Sequence, residues 1–235
     1  MRTHAYSVAA AAALLVLSAA PTSEAVSQSF SGFPAGKIVF DDDDGGGQLW
    51  PNFRIVGVDN VGGPDALIIF DSSRPPGIDF DLGTPNRDFG GPGVGRGGAF
   101  GMPGQNAVPL GNLLIIPEYI ADTNHDGLVD VPNDEASGGC MTFLFDEGVV
   151  PLGFTLVDLD VATARFDLLP GVLRVTVYQG PLEDNAVGTV NLPTAGYRRV
   201  ELCFAGSGGV ARVNFDRVIP VDEISWGRVK SIYRR

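Results

Sequence analysis

Oxygen-bearing side chains alternate along Asp122-Thr-Asn124-His-Asp126-Gly127-Leu128-Val-Asp130, and further acids follow at Asp134 and Glu135. This is the chemistry of a calcium loop. Ca²⁺ is a hard cation that takes about six to eight oxygens, and an EF-hand-type loop supplies its first ligands from alternate positions. Asp122, Asn124 and Asp126 occupy those positions. Gly127 follows where the loop must turn sharply, and Leu128 stands where a backbone carbonyl is taken. Asp130 holds the next ligand position, and Asn133 stands where a closing acid is usual, so Asp134 is expected to complete the shell.

A second set of acids lies in the segment Asp71 to Leu110, which is broken by Pro75-Pro76-Gly77, Gly90-Gly91-Pro92-Gly93 and Gly95-Arg-Gly97-Gly98. A stretch of this length without regular structure is usually functional or organised by a ligand. Glycines let carbonyl oxygens converge, which makes Asp71, Asp79 and Asp81 candidates for a second metal. A Gly/Pro-rich surface loop with solvated acids explains the same residues. The Gly-x-Gly spacing does not indicate a phosphate site, because no Lys-Ser/Thr follows and the surroundings are acidic.

Other chemistries have little to work with. Of the two histidines, His4 lies near the N-terminus and His125 sits inside the calcium-type loop. A nucleophile–His–acid system therefore lacks its base. Asp158 and Asp160 share one face of a strand and offer two carboxylates, which is all a glycosidase needs. Acids at a strand end beside a calcium loop are more simply ligands or solvated groups, so no catalytic residue is assigned. The two cysteines, Cys140 and Cys203, each lie within an expected strand. In an oxidising compartment they are candidates for a disulfide, with a pair of buried thiols as the alternative. No Cys-x-x-Cys spacing points to zinc.

These groups must be carried by strands. Glycine (32) and proline (17) are spread along the chain, and no long window has a helical period. Alternating segments such as Leu173-Arg-Val-Thr-Val-Tyr178 and Val210-Ala-Arg-Val-Asn-Phe215 read as strands with one buried face. The full set of expected strands is Gly36–Phe40, Phe53–Val58, Ala66–Phe70, Asn112–Pro117, Cys140–Phe145, Phe154–Val161, Val172–Gln179, Thr189–Leu192, Arg198–Phe204 and Val210–Val218. The runs Leu67-Ile-Ile-Phe70 and Leu113-Leu-Ile-Ile116 should be central and covered on both faces. The expected fold is all-β, a jelly-roll-like β-sandwich forming a single domain over 26–235.

Residues 1–25 read as a secretory signal peptide: a basic start at Arg2, an apolar run from Ala5 to Ala20, and small residues before a cut after Ala25. The apolar run is shorter than the ~20 residues of a membrane span. A secreted protein, extracellular or periplasmic, with no membrane span after cleavage is expected. The formal charge is −12, from 28 acids against 16 bases. That balance disfavours nucleic acid and anionic membranes as partners; ordinary solubility explains the number equally well, and the clustering of the acids in loops is what points to a protein that holds cations.

A set of ordered motifs also resembles a family of bacterial secreted or surface β-sandwich domains, often found with PEP-CTERM or other anchoring tails and mostly uncharacterised. The motifs are Ala66-Leu-Ile-Ile-Phe-Asp-Ser-Ser73, Gly77-Ile-Asp79-Phe-Asp81, Phe89-Gly-Gly-Pro-Gly-Val-Gly95, Leu110-Gly-Asn-Leu-Leu-Ile-Ile-Pro117, the acidic Asp-Gly loop, Asp134-Glu-Ala-Ser-Gly-Gly139 and Phe154-Thr-Leu-Val-Asp-Leu-Asp160. The resemblance covers roughly residues 33–218. It implies a β-sandwich with a role in the envelope or extracellular matrix, and it names no reaction. The pattern's terminal anchor is not expected for this chain, and Gly206-Ser-Gly-Gly-Val-Ala-Arg212 departs from the pattern where a small residue and an acid are expected after Gly-Ser-Gly. Two functions follow as expectations. One is a calcium-binding structural or adhesive module that meets envelope proteins. The other is a carbohydrate-binding module for extracellular polysaccharide, with a glycosidase behind it.

Overall fold

Met141, Phe143 and Phe145 alternate along one strand, and all three are buried. Val200, Leu202 and Phe204 do the same on its neighbour, with Leu202 opposite Met141 and Val200 opposite Phe143. A two-residue period of this kind puts every apolar side chain on one face, and burying that face drives two sheets together. The computed structural model describes residues 22–39, 49–77, 79–159, 162–167, 174–179, 183–193 and 198–219. Ser23–Val218 form one compact unit.

The strands are β1 (Thr22–Gln28), β2 (Phe53–Asn60), β3 (Ile68–Asp71), β4 (Asn112–Ile115), β5 (Gly139–Phe145), β6 (Val149–Val157), β7 (Ala162–Asp167), β8 (Arg174–Gln179), β9 (Val187–Asn191), β10 (Arg199–Phe204) and β11 (Gly209–Ile219). One sheet has the order β3-β4-β11-β6-β9, with β1 also paired to β11, and the other has β2-β5-β10-β7-β8. The antiparallel pairs β7–β8, β6–β9, β5–β10 and β4–β11 nest inside one another. A long antiparallel hairpin rolled up in this way is a jelly roll. Chain direction reverses at each strand, so the β4–β5, β6–β7, β8–β9 and β10–β11 connections gather at one end.

The core between the sheets is rich in aromatics. Phe53 stacks on Trp50 with ring centroids 5.3 Å apart, and Phe143 meets Phe154 of the opposite sheet at 4.9 Å. A second apolar cluster lies on the outer face of the β3–β4–β11–β6 sheet. There Ile68, Phe70, Leu113, Ile115, Val157 and Ala211 are covered by Leu82 and Leu110 of the long segment and by Val129 of the acidic loop. The continuous apolar runs in β3 and β4 are thus buried on both faces, as expected. β3 ends the strand order rather than lying centrally, with the bridge from Ile38 to Ile68 flanking it. The expected Gly36–Phe40 strand is reduced to that bridge among the described residues. β1 and β7 have no counterpart among the expected strands, and β6 starts earlier than its apolar pattern suggests.

The segment between β3 and β4 is a built structure. Three buried asparagines hold it. Asn86 donates to Gly95 O (2.8 Å) and to Asn185 Oδ1 (2.7 Å), and Asn106 donates to Gly83 O (2.8 Å). Asn185 donates to the carbonyls of Asp81 and Gly83, both at 2.6 Å. The glycines let backbone meet backbone: a Cβ on Gly95 would lie 2.3 Å from Asp184 O. Arg212 fastens the far end by donating to Leu110 O at 2.7 Å.

Candidate functional site

The acidic loop rises between β4 and β5 on a short two-stranded stalk. Glu118 N donates to Asn133 O (3.0 Å), Glu135 N donates to Ile116 O (2.9 Å), and Pro117 bridges to Asp134. Val129 plugs the loop into the outer core, and its N–H donates to Gly36 O at 2.8 Å. Gly36 has φ 78, and a Cβ there would sit 2.5 Å from Val129 O, so only glycine fits.

Beyond the stalk the ligand-type side chains fold back over the turn. Asp122 accepts from the N–H of Asp126 (3.1 Å) and of Gly127 (2.9 Å). Asn124 Oδ1 accepts from Asp126 N (2.8 Å), and Asp126 Oδ1 accepts from Leu128 N (2.9 Å). His125 and Gly127 adopt φ of 61° and 84°, which makes the tight reversal. Asp130 accepts from both the N–H and the hydroxyl of Thr123, and these bonds hold its carboxyl below the usual range. Asn124, Asp126, Leu128 and Asp130 line a cavity of about 280 Å³ together with Asp71 and Arg74. The site can offer several carboxylate oxygens to a hard cation, and one guanidinium shares the space.

A different set of acids meets at the end of the sandwich where the connections gather. Asp79 and Asp81 come from the long segment, Asp134 from the stalk, and Asp158 from the end of β6 at φ 56. Asp79 and Asp134 are each 7 % exposed and Asp158 is 4 % exposed. Ser207, in the β10–β11 turn, directs its hydroxyl at Asp134 Oδ2 (2.6 Å) and at Asp158 Oδ2 (2.8 Å). Gly208 N–H also donates to Asp134 Oδ2 (2.6 Å), and Asn185 N–H donates to Asp158 Oδ1 (2.7 Å). Among the described residues, Asp79 Oδ2 has no hydrogen-bond partner.

Burial disfavours the charged form of Asp79, Asp134 and Asp158. Burial, followed by the Asp81 charge, pushes the Asp158 carboxyl up from 3.8 to about 7. Asp79 rises for the same first reason and then through Asp134 and Asp81. Asp134 also rises by burial, opposed by its bonds from Ser207 and Gly208.

The structure therefore regroups the residues read from the sequence. Asp122, Asn124, Asp126, Leu128 and Asp130 share the exposed loop. Asp134 does not close that shell: its backbone is fixed in the stalk and its carboxylate faces Ser207 and Gly208. Asp71 lines the loop cavity, whereas Asp79 and Asp81 join Asp134 and Asp158, so the expected Asp71–Asp79–Asp81 set is divided between two places. Asp160 lies outside the described residues, as does the expected signal peptide through residue 21.

Asp158, Asn185 and Ser207 escape sequence reasoning as a group because their segments are far apart in the chain. An acid ending the apolar run of β6 is the available signal. Cys140 and Cys203 stand opposite each other on β5 and β10 and form a disulfide, with Cα atoms 4.0 Å apart. Glu201 lies close to both sulfurs, but bonded sulfurs have no thiolate to give a metal. Among the described residues, no helix is long and apolar enough to cross a membrane.

No family model matches the chain, and no curated protein or solved structure matches it.

Proposed function

We propose that this chain is a secreted calcium-binding β-sandwich module with a structural or adhesive role in the cell envelope or extracellular matrix, as in the bacterial surface-domain family that it resembles. The observation that carries this reading is the exposed loop. Asp122, Asn124 and Asp126 are already folded over one turn, beside Asp130, on a stalk rooted in the core. Prearranged oxygens lower the ordering cost of binding an ion. Calcium then ties a surface feature to the sandwich, where envelope proteins can meet it.

A carbohydrate-binding role draws on the cavity beside the loop, but a sugar platform needs exposed aromatic rings in a row. Trp50 is buried in the core and Tyr119 stands at the base of the loop, while Tyr197 and Trp226 lie outside the described residues. Enzyme action is disfavoured by the acids themselves: Asp134 and Asp158 are too deeply buried to flank a glycosidic bond.

Melting the purified protein with calcium, with magnesium and with chelator tests the reading. Extracellular modules bind calcium at ~10⁻⁴–10⁻³ M. Millimolar Ca²⁺ then adds about 0.4–1.4 kcal/mol at one such site, a rise of about 1–5 °C. Magnesium, which dehydrates reluctantly, should do far less. The variant Asp122→Ala/Asp126→Ala should lose the contribution of the loop. Retention of the full calcium shift in that variant would remove the loop as the site.

A further inference from the structure

We propose that Asp79, Asp81, Asp134 and Asp158, with the Ser207 hydroxyl, form a second and buried calcium site that locks together the connections at one end of the jelly roll. The inference takes only the identity of the ion from the preceding proposal, because none of its residues belongs to the Asp122–Asp130 loop.

Three observations lead to it. Asp79 is 93 % buried, taking its 7 % exposure, and among the described residues its Oδ2 has no partner, while the side chain faces Asp81 and Asp134. A buried carboxylate oxygen without a donor is costly unless a cation satisfies it or a proton is shared with a neighbouring carboxylate such as Asp81. Ser207 supplies one proton, yet its oxygen lies within hydrogen-bond distance of a carboxylate on Asp134 and another on Asp158. One of those contacts must lack a proton when both acids are ionised, and a shared cation resolves the conflict. Finally, among the described residues, the charges that act on Asp79, Asp134 and Asp158 are those of other carboxylates.

The donor set names the ion. It is all oxygen, with no imidazole or thiolate, which excludes the usual ligands of zinc. Magnesium keeps several waters and demands compact octahedral geometry, whereas calcium accepts flexible carboxylate shells with protein ligands throughout. Among the described residues, no three of these carboxylates bring an oxygen within 4.8 Å of one another. Binding therefore draws the side chains inward. The four acids and Ser207 come from the long segment, the stalk, the end of β6 and the β10–β11 turn. One ion would crosslink all four.

The test is bound calcium counted per chain, by equilibrium dialysis and elemental analysis, on full-length protein unfolded in chelator and refolded into calcium. Two ions are expected in the wild type, and one in Asp122→Ala/Asp126→Ala. One is also expected in Asp134→Asn/Asp158→Asn, whose amides keep the shape of the acids. Asp79→Asn serves if that double variant does not refold; in the loop-variant background it should weaken the remaining ion at least tenfold. A loop variant that binds no calcium overturns this inference and leaves the exposed site standing. Undiminished binding in Asp134→Asn/Asp158→Asn or in Asp79→Asn also overturns it. Calcium lost only with the buried variants supports the inference and removes the loop reading.

Discussion

Replacing Asp158 by asparagine should stabilise the protein in chelator and weaken its response to calcium. Asp158 is 4 % exposed, and burial with the neighbouring Asp81 raises its carboxyl from 3.8 to about 7. Because the folded value is raised, stability is greatest with the acid protonated and is lost as pH climbs from the unfolded value through the folded one. At about 1.36 kcal/mol per pKa unit, the full cost by pH 8 is about 4 kcal/mol, of which less than about 2 has accrued at pH 5. The substituted amide carries no such cost. Its oxygen can still accept from Asn185 N–H, and asparagine tolerates the left-handed φ of 56°. For a domain of this size 1 kcal/mol shifts Tm by about 2–4 °C, so a rise on the order of 10 °C is expected at pH 8. Scanning calorimetry in chelator at pH 8 and pH 5 measures it. The stabilisation should shrink at the lower pH, and millimolar Ca²⁺ should favour the wild type. A variant less stable than wild type in chelator at both pH values would refute the claim that this carboxylate is held against its charge.

The Cys140–Cys203 bond closes a loop with sequence separation 63, so Cys140→Ser/Cys203→Ser should cost about 4 kcal/mol by chain entropy. Urea unfolding checks this, and an unchanged midpoint would contradict it. Leu82 fastens the long segment to the outer face of the sheet, so Leu82→Ala should cost about 2–5 kcal/mol. Hydrogen exchange should show the 80–110 region opening more readily in that variant than the β5–β10 pair. Export should remove residues 1–25 and with them Glu24, whose carboxylate pairs with Arg217 at 2.7 Å. N-terminal sequencing of secreted protein should begin at Val26, and an intact Met1 in the membrane fraction would contradict it.

The sandwich is legible in the sequence because burial has a period. Met141, Phe143 and Phe145 announce a strand, and Cys140 and Cys203 sit in strands that pair. The exposed loop is legible for a similar reason, since its oxygen-bearing side chains are close neighbours in sequence. What spacing does not reveal is convergence. Position alone puts Asp134 in the loop, but the bridge to Pro117 fixes its backbone and turns its carboxylate to Ser207. Asp158 meets Asp134 only because nested strand pairing gathers alternate connections at one end. The long segment reads as irregular because its order comes from Asn86, Asn106 and Asn185 bonding to backbone carbonyls, which leaves no periodic trace.

Anomalous difference density from a crystal grown in calcium would show whether the exposed loop holds the ion. A peak is expected in the exposed loop with oxygens of Asp122, Asn124 and Asp126 and the carbonyl of Leu128 at about 2.3–2.6 Å. Saturating calcium with no peak in that loop would contradict it.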